Sequence, residues 1–181
     1  DTARYCLPNA VDILDIGVSE VGLPFVVREP LTGESLAARL SRRRRLSPAS
    51  ALALTLKVCE AIEEAHRRGI THGHLSPDAL FLEHADTPSE TLQILDFERQ
   101  ALTGDHAPEA ADVLAIALTL LRLLTGPTTD RADLEGHLPR LALGAELDAV
   151  IRACLLADAN ARPPAAALRL AITNHLDSPV R

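Results

Sequence analysis

The sequence is poor in aromatic residues and has no methionine or tryptophan: Phe, Trp and Tyr together make up 2% of 181 residues. A core built under that constraint must be Leu, Ala, Val and Ile, a composition that favours packed helices. The same scarcity removes the stacking platform on which proteins seat unpaired bases. Basic residues are outnumbered, 18 against 25 acidic, for a formal charge of −7, which argues against nucleic acid as the main partner. The basic charge that exists is concentrated in Arg42-Arg43-Arg44-Arg45. That run is expected to be a solvated helix end or loop, with a docking patch for an acidic partner as the alternative. Cys6, Cys59 and Cys154 are odd in number and far apart, with no C-x-x-C pair, which fits reduced thiols in a cytoplasmic protein. No signal peptide is visible and no apolar run reaches spanning length, so no membrane span is expected. Without Met, the chain reads as processed or as cut from a longer one.

What is present is ordinary for a soluble globular chain, 47% hydrophobic and 24% charged, at a length that suggests one domain. Residues 11–16 and 24–29 are apolar-rich runs around a polar turn at Glu20 to Gly22 and predict a hairpin. Thr32 to Leu36 is expected to turn into a short helix running through Arg44. Ser47-Pro48 is a strong helix start, with Ser as cap and Pro in the first turn. From Ala49 to Arg68, Lys57, Glu60, Glu64 and Arg67 fall on one face and Leu54, Val58, Ala61, Ile62 and Ala65 on the other. Gly69 ends that helix. Leu80 to Leu82 and Leu92 to Leu95 predict two short strands. Ala111 to Leu124 is apolar nearly all round and predicts a buried helix, stopped by Gly126-Pro127. A loop is expected from there to Gly144, followed by helices over 145–157 and 164–176.

The stretch that organises the chain is His72-Gly73-His74-Leu75-Ser76-Pro77-Asp78-Ala79-Leu80-Phe81-Leu82, followed by Leu95-Asp96-Phe97-Glu98. A connection that starts with His, carries Pro in its middle and runs into an apolar strand resembles the catalytic loop of protein kinases. The family loop reads H-R-D-L-x-x-x-N and is followed by the metal-binding D-F-G. His72, Leu75, Asp96 and Phe97 fit that pattern. Gly73 replaces Arg, His74 the catalytic Asp, Ala79 the metal-binding Asn and Glu98 the Gly. Ala107-Pro108-Glu109 matches the family A-P-E.

The resemblance, closest to bacterial serine/threonine kinases, implies an α+β, protein-kinase-like fold that is mainly the helical large lobe. Residues 1–30 would be remnant small-lobe strands and hinge, and residues 31–181 the large lobe. The single lysine, Lys57, among 18 basic residues also suggests a GC-rich bacterial genome. On the same resemblance Glu29, Leu31 and Leu82 would touch nucleotide and Asp96 would ligate Mg²⁺. His72 would bond near the D-F-x turn, Asp112 would hold the loop backbone, and Glu109 would pair with Arg162.

Read as chemistry, much is replaced. The loop Asp of a kinase accepts the substrate proton, and a positioned base contributes about 10²–10⁴-fold; imidazole at His74 differs in reach and charge. Ala79 offers no metal ligand, and Ser76 stands where these kinases usually carry Lys. Arg99 to His106, the only residues between Glu98 and Ala107, form a short activation segment. His72, His74, His84 and His106 with Asp96 could be read as a metal cluster, but H-x-H spacing alone is a weak signal, and no dedicated transition-metal site is expected.

Three readings follow. The first is a catalytically impaired domain, a pseudokinase, that acts as a signalling or interaction module with a protein partner and leaves ATP or ADP with Mg²⁺ as an open ligand. The second is a divergent serine/threonine kinase with residual phosphoryl transfer. The third is a helical scaffold without ligand.

Overall fold

The computed structural model describes residues 6–99, 102, 107–126 and 130–178. The predicted hairpin forms as β1 (Ile13–Val18) and β2 (Pro24–Arg28), antiparallel with Ile16 opposite Val26. Ser19 closes the turn, since its N–H donates to Leu23 O at 2.8 Å and its hydroxyl accepts from Leu23 N at 3.1 Å. The first strand starts later than expected because Val11 serves a different partner. Val11 N donates to Ile94 O at 3.1 Å, and Ile94 N donates to Asn9 O at 2.6 Å. Residues 9 to 11 are thereby stitched to the second sheet, and Val11 is buried.

The expected turn after the hinge is partly a strand, β3 (Gly33–Ser35), which pairs with β4 (Leu80–Glu83). Gly33 makes that pairing possible, because a Cβ there would lie 1.9 Å from the Leu82 carbonyl oxygen. With β5 (Thr91–Ile94) the antiparallel order is β3-β4-β5.

Helix α1 (Leu36–Arg43) is capped by Ser35, whose hydroxyl accepts from Ala38 N, and α2 (Pro48–Arg67) by Ser47, whose hydroxyl accepts from Ser50 N. Gly69, at φ +68°, takes the chain out of α2. The predicted apolar face is the buried one, with Val58, Ala61, Ile62 and Ala65 inside, whereas Leu54 is half-buried at its edge.

Helix α3 (Glu109–Thr125) is buried along most of its length and packs against α2. The loop expected before Gly144 contains a further helix, α4 (Arg131–His137), continued by a 3₁₀ turn over 138–140. Asp130 caps it, with its carboxylate accepting from Ala132 N, and Leu134 and Leu138 anchor it in the core. Helix α5 (Ala145–Cys154) stops short of the predicted residue 157, and α6 (Ala165–Asp177) lies against both α2 and α5.

One core joins these helices to the three-stranded sheet through Leu52, Ile62, Leu80, Ile116, Leu120 and Leu168. Each such side chain contributes about 1.5–3 kcal/mol relative to exposure. The hairpin contributes little to it: Leu14, Val18, Val21, Leu23, Phe25 and Val27 are all exposed. The cysteines are free thiols. Burial pushes Cys154 up to about 12 and Cys59 further, so both stay protonated. Among the described residues no helix is long and apolar enough to cross a membrane.

Candidate functional site

The loop from α2 to β4 is held from behind by one carboxylate. Asp112, in the first turn of α3, is fully buried. Its Oδ2 accepts from His72 N at 2.8 Å and its Oδ1 from Gly73 N at 2.7 Å. His66, from the last turn of α2, brings its Nε2 to 2.9 Å of the same Oδ2. A buried carboxylate is expensive unless its lone pairs are met, and here three donors meet them.

The His72 ring is likewise buried. Its Nε2 donates to Leu95 O at 2.8 Å, which leaves Nδ1 to accept from His74 N at 3.3 Å. Its ring meets Phe97 edge-on at 4.9 Å between centroids. Burial lowers the His72 pKa, so the ring is held neutral in a single tautomer. His72 thus bonds to the carbonyl of Leu95, the residue before the Asp96-Phe97-Glu98 turn.

The loop then exposes His74. Ala79 is buried and acts through its backbone, its N donating to Ser76 O at 3.0 Å and its O accepting from Leu95 N at 2.8 Å. The position that would supply a second metal ligand therefore offers a methyl group.

Opposite the loop stands the Asp96-Phe97-Glu98 turn, with Asp96 at φ +68°, Phe97 packed inward and Glu98 buried. Both carboxylates meet Arg28, the last residue of β2. Arg28 Nη2 donates to Asp96 Oδ1 and, at 2.5 Å, to Glu98 Oε1. An open cleft of about 510 Å³ lies between β2 (Pro24, Phe25, Val26, Arg28) and this turn.

Mg²⁺ is the metal the fold implies here, and the residues present do not fit it. One oxygen of each carboxylate, Asp96 Oδ1 and Glu98 Oε1, is taken by the Arg28 guanidinium, and Ala79 adds no oxygen. Among the described residues no group of three or more His, Cys, Asp or Glu side chains is arranged to hold a metal ion. His106, grouped by sequence with His72, His74 and His84, lies outside the described residues, as does most of the segment from Arg99 to His106.

The hinge residues Glu29 and Leu31 are half-buried. Glu29 is turned toward the hairpin: its N donates to Asp12 O at 3.2 Å and its Oε1 accepts from Asp12 N at 3.4 Å. Leu82, expected to touch nucleotide, is fully buried in β4. Strand alternation turns Leu80 and Leu82 inward and leaves Phe81 on the more accessible face.

The expected Glu109–Arg162 ion pair is absent. Arg162 instead donates from Nε to Leu156 O at 2.8 Å, from Nη1 to Ala110 O at 2.9 Å and from Nη2 to Ala157 O at 3.4 Å. The carbonyls just past α5 have no helical partner, and the guanidinium fork meets them. Glu109 is left mostly exposed, 3.7 Å from His66 Nδ1.

Sequence reasoning missed Arg28 and His66. A charge closing the apolar run Pro24-Phe25-Val26-Val27 could have flagged Arg28.

Comparison with known proteins gives the fold its place. No family model matches the chain. It is 30% identical over 152 residues to the serine/threonine-protein kinase pkn3 of Myxococcus xanthus, covering 68% of this chain and 28% of that protein. It is 30% identical over 158 residues to PknD of Mycobacterium tuberculosis, covering 74% of this chain and 23% of the relative. The chain thus spans well under half the length of these curated relatives. Among solved structures, the kinase domain of Mycobacterium tuberculosis PknI superposes with a TM-score of 0.77 at 23% identity, covering 97% of this chain and 74% of that one. The Rad53 kinase domain with SCD2 in complex with AMPPNP gives 0.73 at 19% identity, covering 99% and 78%. The chain therefore has a protein-kinase-like fold, and its homologues are bacterial serine/threonine protein kinases.

Proposed function

We propose that this chain is a catalytically impaired kinase-like domain, a pseudokinase, that acts in signalling by binding a protein partner rather than by transferring phosphate. The observation that carries the reading is a mismatch between scaffold and chemistry. Asp112 and His72 hold the loop by the bonds described above, yet the side chain presented at the catalytic position is the imidazole of His74. Phosphoryl transfer depends on positioning and on charge stabilisation around the transferring group. His74, Ser76 and Ala79 supply neither the carboxylate, the amine nor the metal ligand for it.

The cleft between β2 and the Asp96 turn is the proposed nucleotide site, and Glu29 and Leu31, which follow β2 in the chain but do not line the cleft, are the proposed hinge; Rad53, which shares the fold, is seen in complex with AMPPNP. The division into hairpin (1–30) and large lobe (31–181), a protein partner and a cytoplasmic site of action belong to the same proposal.

The test is transfer of the labelled γ-phosphate of ATP to the chain itself or to a generic protein acceptor, with Mg²⁺. No incorporation above that of the heat-denatured chain is expected. Incorporation that disappears in His74→Ala would make the chain a divergent kinase and end the proposal.

A further inference from the structure

The Arg28 contact is more than a stray ion pair. We propose that Arg28 is a built-in cation that closes the Asp96–Glu98 pair to divalent metal, and that removing its guanidinium creates a divalent-cation site. The proposal rests on reading Asp96 as the metal-ligand position of the fold.

Geometry supports the substitution. A guanidinium pairing with a carboxylate usually offers two nitrogens to two oxygens of one group. Here a single nitrogen, Nη2, reaches one oxygen of Asp96 and one of Glu98, the disposition of a point cation between two carboxylates. Arg28 Nε and Glu98 Oε2 are buried and have no hydrogen-bond partner. A fork geometry would have engaged them. Glu98 is only 2% exposed, so its charge must be met from inside the protein.

Charge balance points the same way. Arg28 and Arg99 line the cleft against Asp96 and Glu98. Arg28 already places a positive charge on one oxygen of each carboxylate, so a divalent ion binding there would meet a cation at the same oxygens. Arginine keeps its proton throughout the working pH range, so the closure does not relax as a lysine's could. Its placement at the end of β2, next to Glu29, also ties the otherwise exposed hairpin to the Asp96 turn.

The experiment uses Mn²⁺ alone, followed by water-proton relaxation, with circular dichroism to check that each variant folds. Wild type is expected to show no saturable Asp96-dependent binding. Arg28→Met is expected to show saturable Mn²⁺ binding at least about 10-fold tighter than the upper limit set by wild type, the lower end of the range over which outer-shell partners shift metal affinity. Asp96→Asn added to Arg28→Met should abolish that binding, and Arg28→Lys, which keeps a cation, should behave as wild type. Arg28→Gln repeats the test if the Met variant does not fold. Wild-type binding that is lost in Asp96→Asn overturns the proposal, and so does a folded Arg28→Met or Arg28→Gln that binds no better than wild type. Because no nucleotide is present, failure of the nucleotide reading would show separately, as an absent ATP effect on stability.

Discussion

Asp112 and Glu98 are both buried carboxylates on opposite sides of one loop, and they are satisfied in different ways. Asp112 accepts from two backbone N–H groups and faces a histidine, bonds that fix where the loop runs. Glu98 shares one arginine nitrogen with Asp96 and keeps an oxygen without a partner. The first site is scaffold, and it is complete. The second faces the cleft, where chemistry would be done, and its carboxylates are occupied from within. In the proposed reading, a fold can keep the frame of an active site while its charges are spent on one another.

The comparison breaks most readily at Asp112. Asp112→Ala strands the N–H groups of His72 and Gly73, and its cost should approach the roughly 3–5 kcal/mol of a broken buried charged network. At about 2–4 °C per kcal/mol for a chain of this size, thermal unfolding should fall by roughly 6–20 °C. A loss under about 1 kcal/mol would show that Asp112 does not hold the loop.

Arg28→Met should cost less, about 1–3 kcal/mol: Arg28 and Asp96 are each about one-third exposed, at 30% and 35%, so solvent takes up the share of the charge released at Asp96, and most of the loss comes from leaving the buried Glu98 carboxylate unpaired. Glu98→Gln in that background should recover part of the loss. A double-mutant cycle in urea without coupling between positions 28 and 98 would remove the clasp from the account.

The His72 ring sharpens the comparison by its pH dependence. Burial lowers its folded pKa, so the unfolded chain binds the proton first as pH falls. Its contribution is fully present above the unfolded value near 6.5 and is lost as pH drops below it, by at most about 1.4 kcal/mol per pH unit. Stability measured from pH 7.5 to 5 should fall less steeply in His72→Gln than in wild type. Equal slopes would mean the ring is not held neutral.

The smallest effect is expected between Glu109 and Arg162. With Arg162 bonded to three carbonyls and Glu109 facing solvent, their coupling should stay under about 0.5 kcal/mol, within the range of independent sites. Coupling above about 1 kcal/mol would restore the ion pair.

Much of the frame was legible in the sequence because local chemistry carried it. Ser47-Pro48 and Gly69 bound α2, the apolar run from Ala111 marks α3, the loop motif locates His72, and the family resemblance pointed to Asp112 at the start of the buried helix. The signals that failed were short or distant. β3 is a strand only through its pairing with β4, and nothing in Gly33-Glu34-Ser35 alternates. α4 is a seven-residue helix with one buried residue, Leu134, too brief for a periodic pattern. The Arg28 partners lie 68 and 70 residues away, beyond any spacing rule. For Glu109 and Arg162 the family pattern suggested a pair, while the unpaired carbonyls after α5 decided where the arginine went.

The most direct test of the account is the midpoint of thermal unfolding of the wild-type chain with ATP, measured once with Mg²⁺ and once with EDTA. At about 100 times its Kd a ligand stabilises by about 2.7 kcal/mol, a shift of several degrees. The same upward shift is expected in both conditions. A shift that requires Mg²⁺ and vanishes in Asp96→Ala would contradict it, because Asp96 would then be free to serve a metal.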